Sequence, residues 1–200
     1  MAKIIPYQKR RFQPIDFIRA DDLMSTGPAG QLNLFAPPIP SIENNTLTLS
    51  ENVFDFALKL DLRNDPTAED YYLRSIENNE NTAPSLCNLG VIAAHKQKMV
   101  EALDFFTKAL IEDPRHFESH FNLANAYFSL GQFRLAILHF QLVIQIAPNF
   151  ADVYFNLGLA FLEIEDLKAA NIAFQNYKVL KPDQHTDHIN LLLQSLASLI

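Results

Sequence analysis

Two hundred residues, 48% of them hydrophobic, with a formal net charge of −7, suffice for one ordinary domain. They contain no run of about 18 apolar residues, so no membrane-spanning helix is expected. The charge is uneven: residues 1–19 hold Lys3, Lys9, Arg10, Arg11 and Arg19 against Asp16 alone, which leaves 11 of the 16 basic and 22 of the 23 acidic side chains to the rest. That balance argues against direct nucleic-acid binding by the body.

The start, "MAKIIPYQKRRFQPIDFI", lacks an uninterrupted apolar core followed by a small-residue cleavage site and does not read as a signal peptide. One cysteine, Cys87, excludes an intramolecular disulfide, and a reducing, cytoplasmic setting is the expectation. Residues 1–48 hold six of the eleven prolines (Pro6, Pro14, Pro28, Pro37, Pro38 and Pro40), with Gly27 and Gly30 beside them, and are expected to form an extended or disordered arm. Within it, "YQKRRFQPIDFI" and "QLNLFAPPIP" carry enough Phe, Leu and Ile to dock; the alternative is a solvated tail.

From residue 83 the chain repeats itself in three units of equal length, 83–116, 117–150 and 151–184. Gly90, Ala124 and Gly158 share one column; Leu89, Leu123 and Leu157 another. Ala102, Ala136 and Ala170, then Phe106, Phe140 and Phe174, then Pro114, Pro148 and Pro182 complete the pattern. A Gly inside a helix costs roughly 1 kcal/mol relative to Ala. It is kept where two helices approach closely, with the small residues on one side and Phe filling the space beside them. Pro ends the second helix and opens the turn to the next unit.

Residues 49–82 form a degenerate unit, expected to cap the row. Ala68, Tyr72 and Ser75 fit its second half, while Asp55 and Phe56 stand where Leu and Gly belong and Pro66 opens the second helix. At the other end, residues 185–200 give a helix capped by Thr186 or Asp187. Its stripe of Ile189, Leu192, Leu193, Leu196 and Leu199 is expected to cover the third repeat, and a self-association surface is the alternative.

The pattern resembles the tetratricopeptide repeat, a helix-turn-helix unit whose period matches the spacing of these columns. Position 4 carries Leu86, His120 and Tyr154 where the family often has Trp, and position 27 carries Ala109, Val143 and Tyr177 where it prefers Ala. The resemblance implies an all-α solenoid of antiparallel helix pairs, with the C-terminal helix as cap and the N-terminal arm irregular.

No catalytic constellation is present: no Gly-rich phosphate loop, nucleophile elbow, HExxH or Cys pair. Neither enzyme activity nor a cofactor nor a metal is expected. His116, Glu118 and His120 in "HFESH" invite a metal reading, yet His116 falls in an inter-repeat turn and His120 takes the buried position 4. His185 and His188 in "QHTDH" are likewise read as packed or exposed, and Cys87 as a small helix residue without a basic neighbour.

The resemblance further implies a concave groove lined by first-helix positions 2, 5, 6, 9, 12 and 13. These are Pro84, Cys87, Asn88, Val91, Ala94 and His95, then Glu118, Phe121, Asn122, Asn125, Phe128 and Ser129, then Asp152, Phe155, Asn156, Leu159, Leu162 and Glu163. Asn recurs at position 6 as Asn88, Asn122 and Asn156, and its amide offers both donor and acceptor to a peptide backbone. This ladder is similar to the one that lines O-GlcNAc transferase; the bland alternative is that "NLG" is common in such repeats. Phe121, Phe128, Phe155, Leu159 and Leu162 are expected to form apolar pockets, and Glu118, Asp152 and Glu163 to favour positive charge. Family members that grip acidic chaperone tails use Lys and Arg at positions 2, 5 and 6, which this chain lacks.

The implied partner is therefore an extended, amphipathic, neutral-to-basic protein or peptide segment. A second reading is a self-assembling or self-regulated scaffold, hence a homo-oligomer, that uses the arm or the C-terminal helix. A third follows from "ALKLDLRNDPTAEDYY", which resembles bacterial proteins joining a MerR-like DNA-binding domain to such repeats and implies an accessory to a transcription regulator.

Overall fold

In a computed structural model that describes residues 52–182 and 186–198, the chain is a row of antiparallel helix pairs, with no strand among the described residues. The pairs are α1 (Val53–Asp61) with α2 (Ala68–Glu77), α3 (Thr82–His95) with α4 (Met99–Glu112), α5 (Phe117–Ser129) with α6 (Phe133–Ile146), and α7 (Ala151–Glu163) with α8 (Leu167–Leu180); α9 (Thr186–Ala197) follows. Each helix packs on the next in sequence, and the first helices α3, α5 and α7 also touch one another. The all-α solenoid expected from the repeat is thus what the chain forms. Residues 1–48, and with them the expected arm, lie outside the described residues.

The repeat columns explain the packing. A Cβ added to Gly90 would stand 2.5 Å from Phe106 Cε1, and one added to Gly158 would stand 2.7 Å from Phe174 Cε1. Ala102, Ala136 and Ala170 are wholly buried, as are the Phe140 and Phe174 rings. Burying such a ring contributes roughly 1.5 to 3 kcal/mol, enough to outweigh the helix propensity lost at Gly. Helices α4, α6 and α8 stop two residues before Pro114, Pro148 and Pro182. The residue ahead of a proline is pushed out of the helical region, as Asp113 shows with φ −134° and ψ 99°.

A further column appears in the turns inside each repeat. Gln97, Gly131 and Glu165 all hold φ between 60° and 73°, the left-handed region that closes a helix. Gly, which has no Cβ, adopts it freely, whereas in other L-residues the Cβ is crowded at a cost of roughly 1–2 kcal/mol. Replacing Glu165 by Gly is therefore expected to stabilise the fold by roughly 1 kcal/mol, read as a higher urea midpoint at unchanged slope. Gly131→Ala is expected to lower it by a similar amount, although a Cβ there would meet nothing within 4 Å.

The degenerate first pair keeps the second-helix columns: Ala68, Tyr72 and Ser75 are buried. Helix α2 starts at Ala68, with Pro66 in the turn before it rather than in its first turn. Phe56, in the Gly column, is buried edge-on against Tyr71 with ring centroids 4.7 Å apart, so this pair is spaced by an aromatic contact. At the far end Ile189 and Leu196 of α9 are buried in one cluster with Ala151, Ala170, Phe174 and Tyr177. Leu192 and Leu193 are half-buried, Leu191 is exposed and Leu199 lies outside the described residues.

Candidate functional site

The three position-6 asparagines sit on adjacent first helices, and each turns its N–H end toward the preceding unit. Asn88 Nδ2 donates to the Tyr72 hydroxyl at 3.0 Å, and that hydroxyl donates to Asp61 Oδ2 at 3.1 Å. Burial, with the Asp61 carboxylate beside it, pushes the Tyr72 phenol pKa up and keeps it a donor. Asn122 Nδ2 donates to Cys87 Sγ at 3.4 Å, and Asn156 Nδ2 donates to Asn125 Oδ1 at 2.9 Å. The ladder therefore binds repeat to repeat. Asn122 and Asn156 are buried and Asn88 half-buried. Asn122 Oδ1 is enclosed with no hydrogen-bond partner among the described residues, a cost of about 1–3 kcal/mol until a donor reaches it. Burial pushes the Cys87 thiol up to about 11, so it stays protonated.

The expected apolar pockets are partly filled by the protein itself. Phe121 is 5% exposed, with ring centroids 5.9 Å from Phe140 and 4.9 Å from Phe150, and Phe128 is 3% exposed and edge-on to Phe133 at 5.1 Å. The cause is enclosure: α5 has α6 behind it and first helices on both sides, so positions 5 and 12 point into core. Phe155 is half-buried against Phe174 and Tyr177, while Leu159 and Leu162 are half-buried beside the cluster that contains Ile189 and Leu196. What remains accessible on this face is exposed His95 with half-buried Pro84, Asn88, Val91 and Ala94 on α3, half-buried Glu118, Asn125 and Ser129 on α5, and half-buried Asp152, Phe155, Leu159, Leu162 and Glu163 on α7.

Charge on the face is smaller than the sequence implies. Asp152 is tied to Lys181 Nζ at 2.6 Å, so its charge is largely neutralised within the fold. Glu118 keeps about a third of its side-chain surface exposed (32%) and lies 3.5 Å from His116 Nε2.

The histidines of "HFESH" separate by role. His116 caps α5: its Nδ1 accepts from the Ser119 amide at 3.3 Å and lies 2.8 Å from the Ser119 hydroxyl. His120 is buried with Nε2 3.2 Å from the Pro114 carbonyl, so Nε2 carries the proton and Nδ1 accepts from His139 Nδ1 at 3.0 Å. Among the described residues no group of three or more His, Cys, Asp or Glu is placed to hold a metal ion. His185 and the His188 side chain lie outside the described residues.

Burial lowers both pKa values of the pair from 6.5, with His116 adding to the effect on His120 and His120 adding to that on His139, which falls to about 4. The unfolded imidazoles take up protons near 6.5 while the folded pair resists, so stability present at neutral pH is lost as the pH falls from about 6.5 toward 4. The urea midpoint is expected to drop between pH 7 and pH 5, and His139→Gln to flatten that slope.

Two contributors escaped the sequence reading, and the period contained one of them. Asn190 and Leu191 stand one further period beyond Asn156 and Leu157, so α9 is in register with a first helix. Asn190 Oδ1 accepts from Lys178 Nζ at 2.6 Å. His139 has no counterpart in its column, and only the fold brings it to His120.

Stacked helix pairs with first helices side by side define an α-solenoid repeat protein. A model described as TPR repeat matches residues 124–164, and two described as Tetratricopeptide repeat match residues 58–117 and 105–137. The chain belongs to the tetratricopeptide-repeat family, whose folds are protein-interaction modules. Tetratricopeptide repeat protein 8 of Mus musculus is 30% identical over 118 residues, 59% of this chain, and the chain spans only 23% of that relative. Among solved structures, the first TPR of Spaghetti (RPAP3), bound to the HSP90 peptide SRMEEVD, is 26% identical with TM-score 0.54, over 57% of this chain and 93% of its own. MamA from Desulfovibrio magneticus RS-1 shares the fold at TM-score 0.60 and 24% identity, over 73% of this chain and 88% of its own. No helix among the described residues is long and apolar enough to cross a membrane.

Proposed function

We propose that the chain is a non-enzymatic adaptor that holds an extended, amphipathic, neutral-to-basic peptide segment along the face lined by α3, α5 and α7. The observation that carries this reading is the lining of the face: Asn88, Glu118 and Asn125 stand half-buried beside Val91, Leu159 and Leu162, while the buried Asn122 and Asn156 brace it from repeat to repeat. The Glu118 carboxylate, with the half-buried Asn88 and Asn125 amides on the same face, suits a segment rich in N–H groups. The RPAP3 domain is similar in fold and was solved with a peptide ending in acidic residues. Positions 2, 5 and 6 here carry no Lys or Arg, which favours the opposite ligand charge. A cytoplasmic setting belongs to the same proposal.

Three hydrogen bonds at roughly 0.5–1.5 kcal/mol each fall short of the roughly 8 kcal/mol of micromolar affinity. With Phe121 and Phe128 buried, the apolar remainder comes from Val91, Leu159 and Leu162, so a bound segment is expected to exchange readily. A photo-crosslinking residue placed at Asn125 should capture the partner polypeptide, and one at the exposed second-helix position Ile111 should not. Capture at Ile111 alone moves the site off this face.

A further inference from the structure

We propose that this face is occupied in cis by the chain's own basic segment, residues 3–19, whose Lys and Arg N–H groups meet the Glu118 carboxylate and the half-buried Asn88 amide. The inference rests on the groove reading above and names its occupant. The polarity of the face is the first argument. Asn122 and Asn156 are buried and brace repeat to repeat, so the polar groups that the face presents are the half-buried Asn88 and Asn125 amides and the Glu118 carboxylate, its partly exposed charge. Asn125 Oδ1 accepts from Asn156, and the half-buried Asn125 amide keeps N–H groups suited to the segment's backbone carbonyls. A cationic peptide matches such a surface because Arg and Lys side chains donate and never accept.

Charge is the second argument. Every basic side chain outside the described residues lies in residues 3–19, as Lys3, Lys9, Arg10, Arg11 and Arg19, with Asp16 the sole acid there. The rest of the chain carries 22 acidic against 11 basic side chains. The apolar residues interleaved in the segment, Ile4, Ile5, Phe12, Ile15 and Phe17, suit the half-exposed Val91, Leu159 and Leu162.

Reach is the third. Residues 20–51 join the segment to α1, and a chain of that length reaches at most roughly 110 Å. Helix spacings of roughly 8–10 Å place α5 within that span of α1. Tethering at such a length gives an effective concentration of order millimolar. A contact with a dissociation constant of about 0.1 mM would then be filled about nine times in ten. An outside partner must displace the segment, so the arm sets the threshold for binding.

Zero-length carbodiimide coupling of the full chain, followed by mass spectrometry of the monomer, tests this directly. Lys3 or Lys9 is expected to link to Glu118. Links to second-helix carboxylates such as Glu101, Asp104 or Glu112 instead, links found only in a species of twice the mass, or no links at all would overturn it. A labelled peptide of residues 3–19 supplies a second arm of the test. A chain carrying Lys9→Glu, Arg10→Glu and Arg11→Glu is expected to bind that peptide at least tenfold more tightly than the wild type. Adding Glu118→Lys should lower the gain at least fivefold, and equal binding by the wild type and the arm variant defeats the inference. The two readings fail separately. Capture of an outside partner at Asn125 that the arm variant leaves unchanged keeps the groove and removes its cis occupant, whereas no capture at Asn125 by either chain removes the groove itself.

Discussion

Phe140→Ala is expected to lower the stability of the fold by about 3–5 kcal/mol, the range for emptying a buried aromatic site. The ring is wholly buried in the second-repeat core, in one cluster with Ala124, Ala136, Val143 and Leu157, and its centroid lies 5.9 Å from that of Phe121. It joins α6 to α5, and the same cluster continues into α7, so the loss is felt across two interfaces. Stability in a stacked-repeat protein is close to a sum of unit and nearest-neighbour terms. Weakening the middle unit should therefore both shift the urea transition and broaden it, as the end repeats lose their coupling. Ile111→Ala serves as the control: at 72% exposure it is expected to stay within about 0.5 kcal/mol of the wild type. A loss below about 1 kcal/mol for Phe140→Ala would mean that the second repeat is not closed around that ring.

The repeat period made most of the architecture legible. Columns one period apart named Gly90, Phe106, Ala102 and their equivalents, and the fold buries each one. These positions are read easily because a small residue opposite a large one serves a single purpose wherever the pair recurs. The asparagine row was legible as a row and misleading as to direction. An amide at position 6 can face a ligand or cross to the next first helix, and the choice depends on interhelical distances that no local pattern states. The same holds for Phe121 and Phe128, whose column faces the groove in outline but is enclosed in this chain by α6 and by first helices on both sides. Asp152 read as an open charge because its partner, Lys181, stands at the far end of the following helix. By contrast, Asn190 could have been read, since extending the period once more reaches it; the Leu192 that replaces Gly in the next-but-one position hid the register.

Gly90→Ala separates helix propensity from packing, because the two push in opposite directions. In an exposed helix the change would gain roughly 1 kcal/mol. Here the new methyl would stand 2.5 Å from Phe106 Cε1 and 2.6 Å from Cδ1. Phe106 is only 2% exposed, so its ring has no free space to swing into and the helices must part instead. Overpacking of this kind costs about 1–3 kcal/mol, which cancels the propensity gain and leaves a net loss. Gly158→Ala should behave alike through Phe174 Cε1 at 2.7 Å, with a slightly smaller loss. The middle repeat carries Ala124 in the same column, fully buried in one cluster with the Phe140 ring, so a methyl is accommodated there. The decisive comparison is a double-mutant cycle with Phe106→Leu, which removes the ring atoms that meet the methyl. In that background Gly90→Ala is expected to become neutral or stabilising, giving a coupling energy of about 1–3 kcal/mol between the two sites. A Gly90→Ala chain more stable than the wild type, with no coupling to position 106, would mean that α3 and α4 do not approach closely there and that the glycine column has another cause.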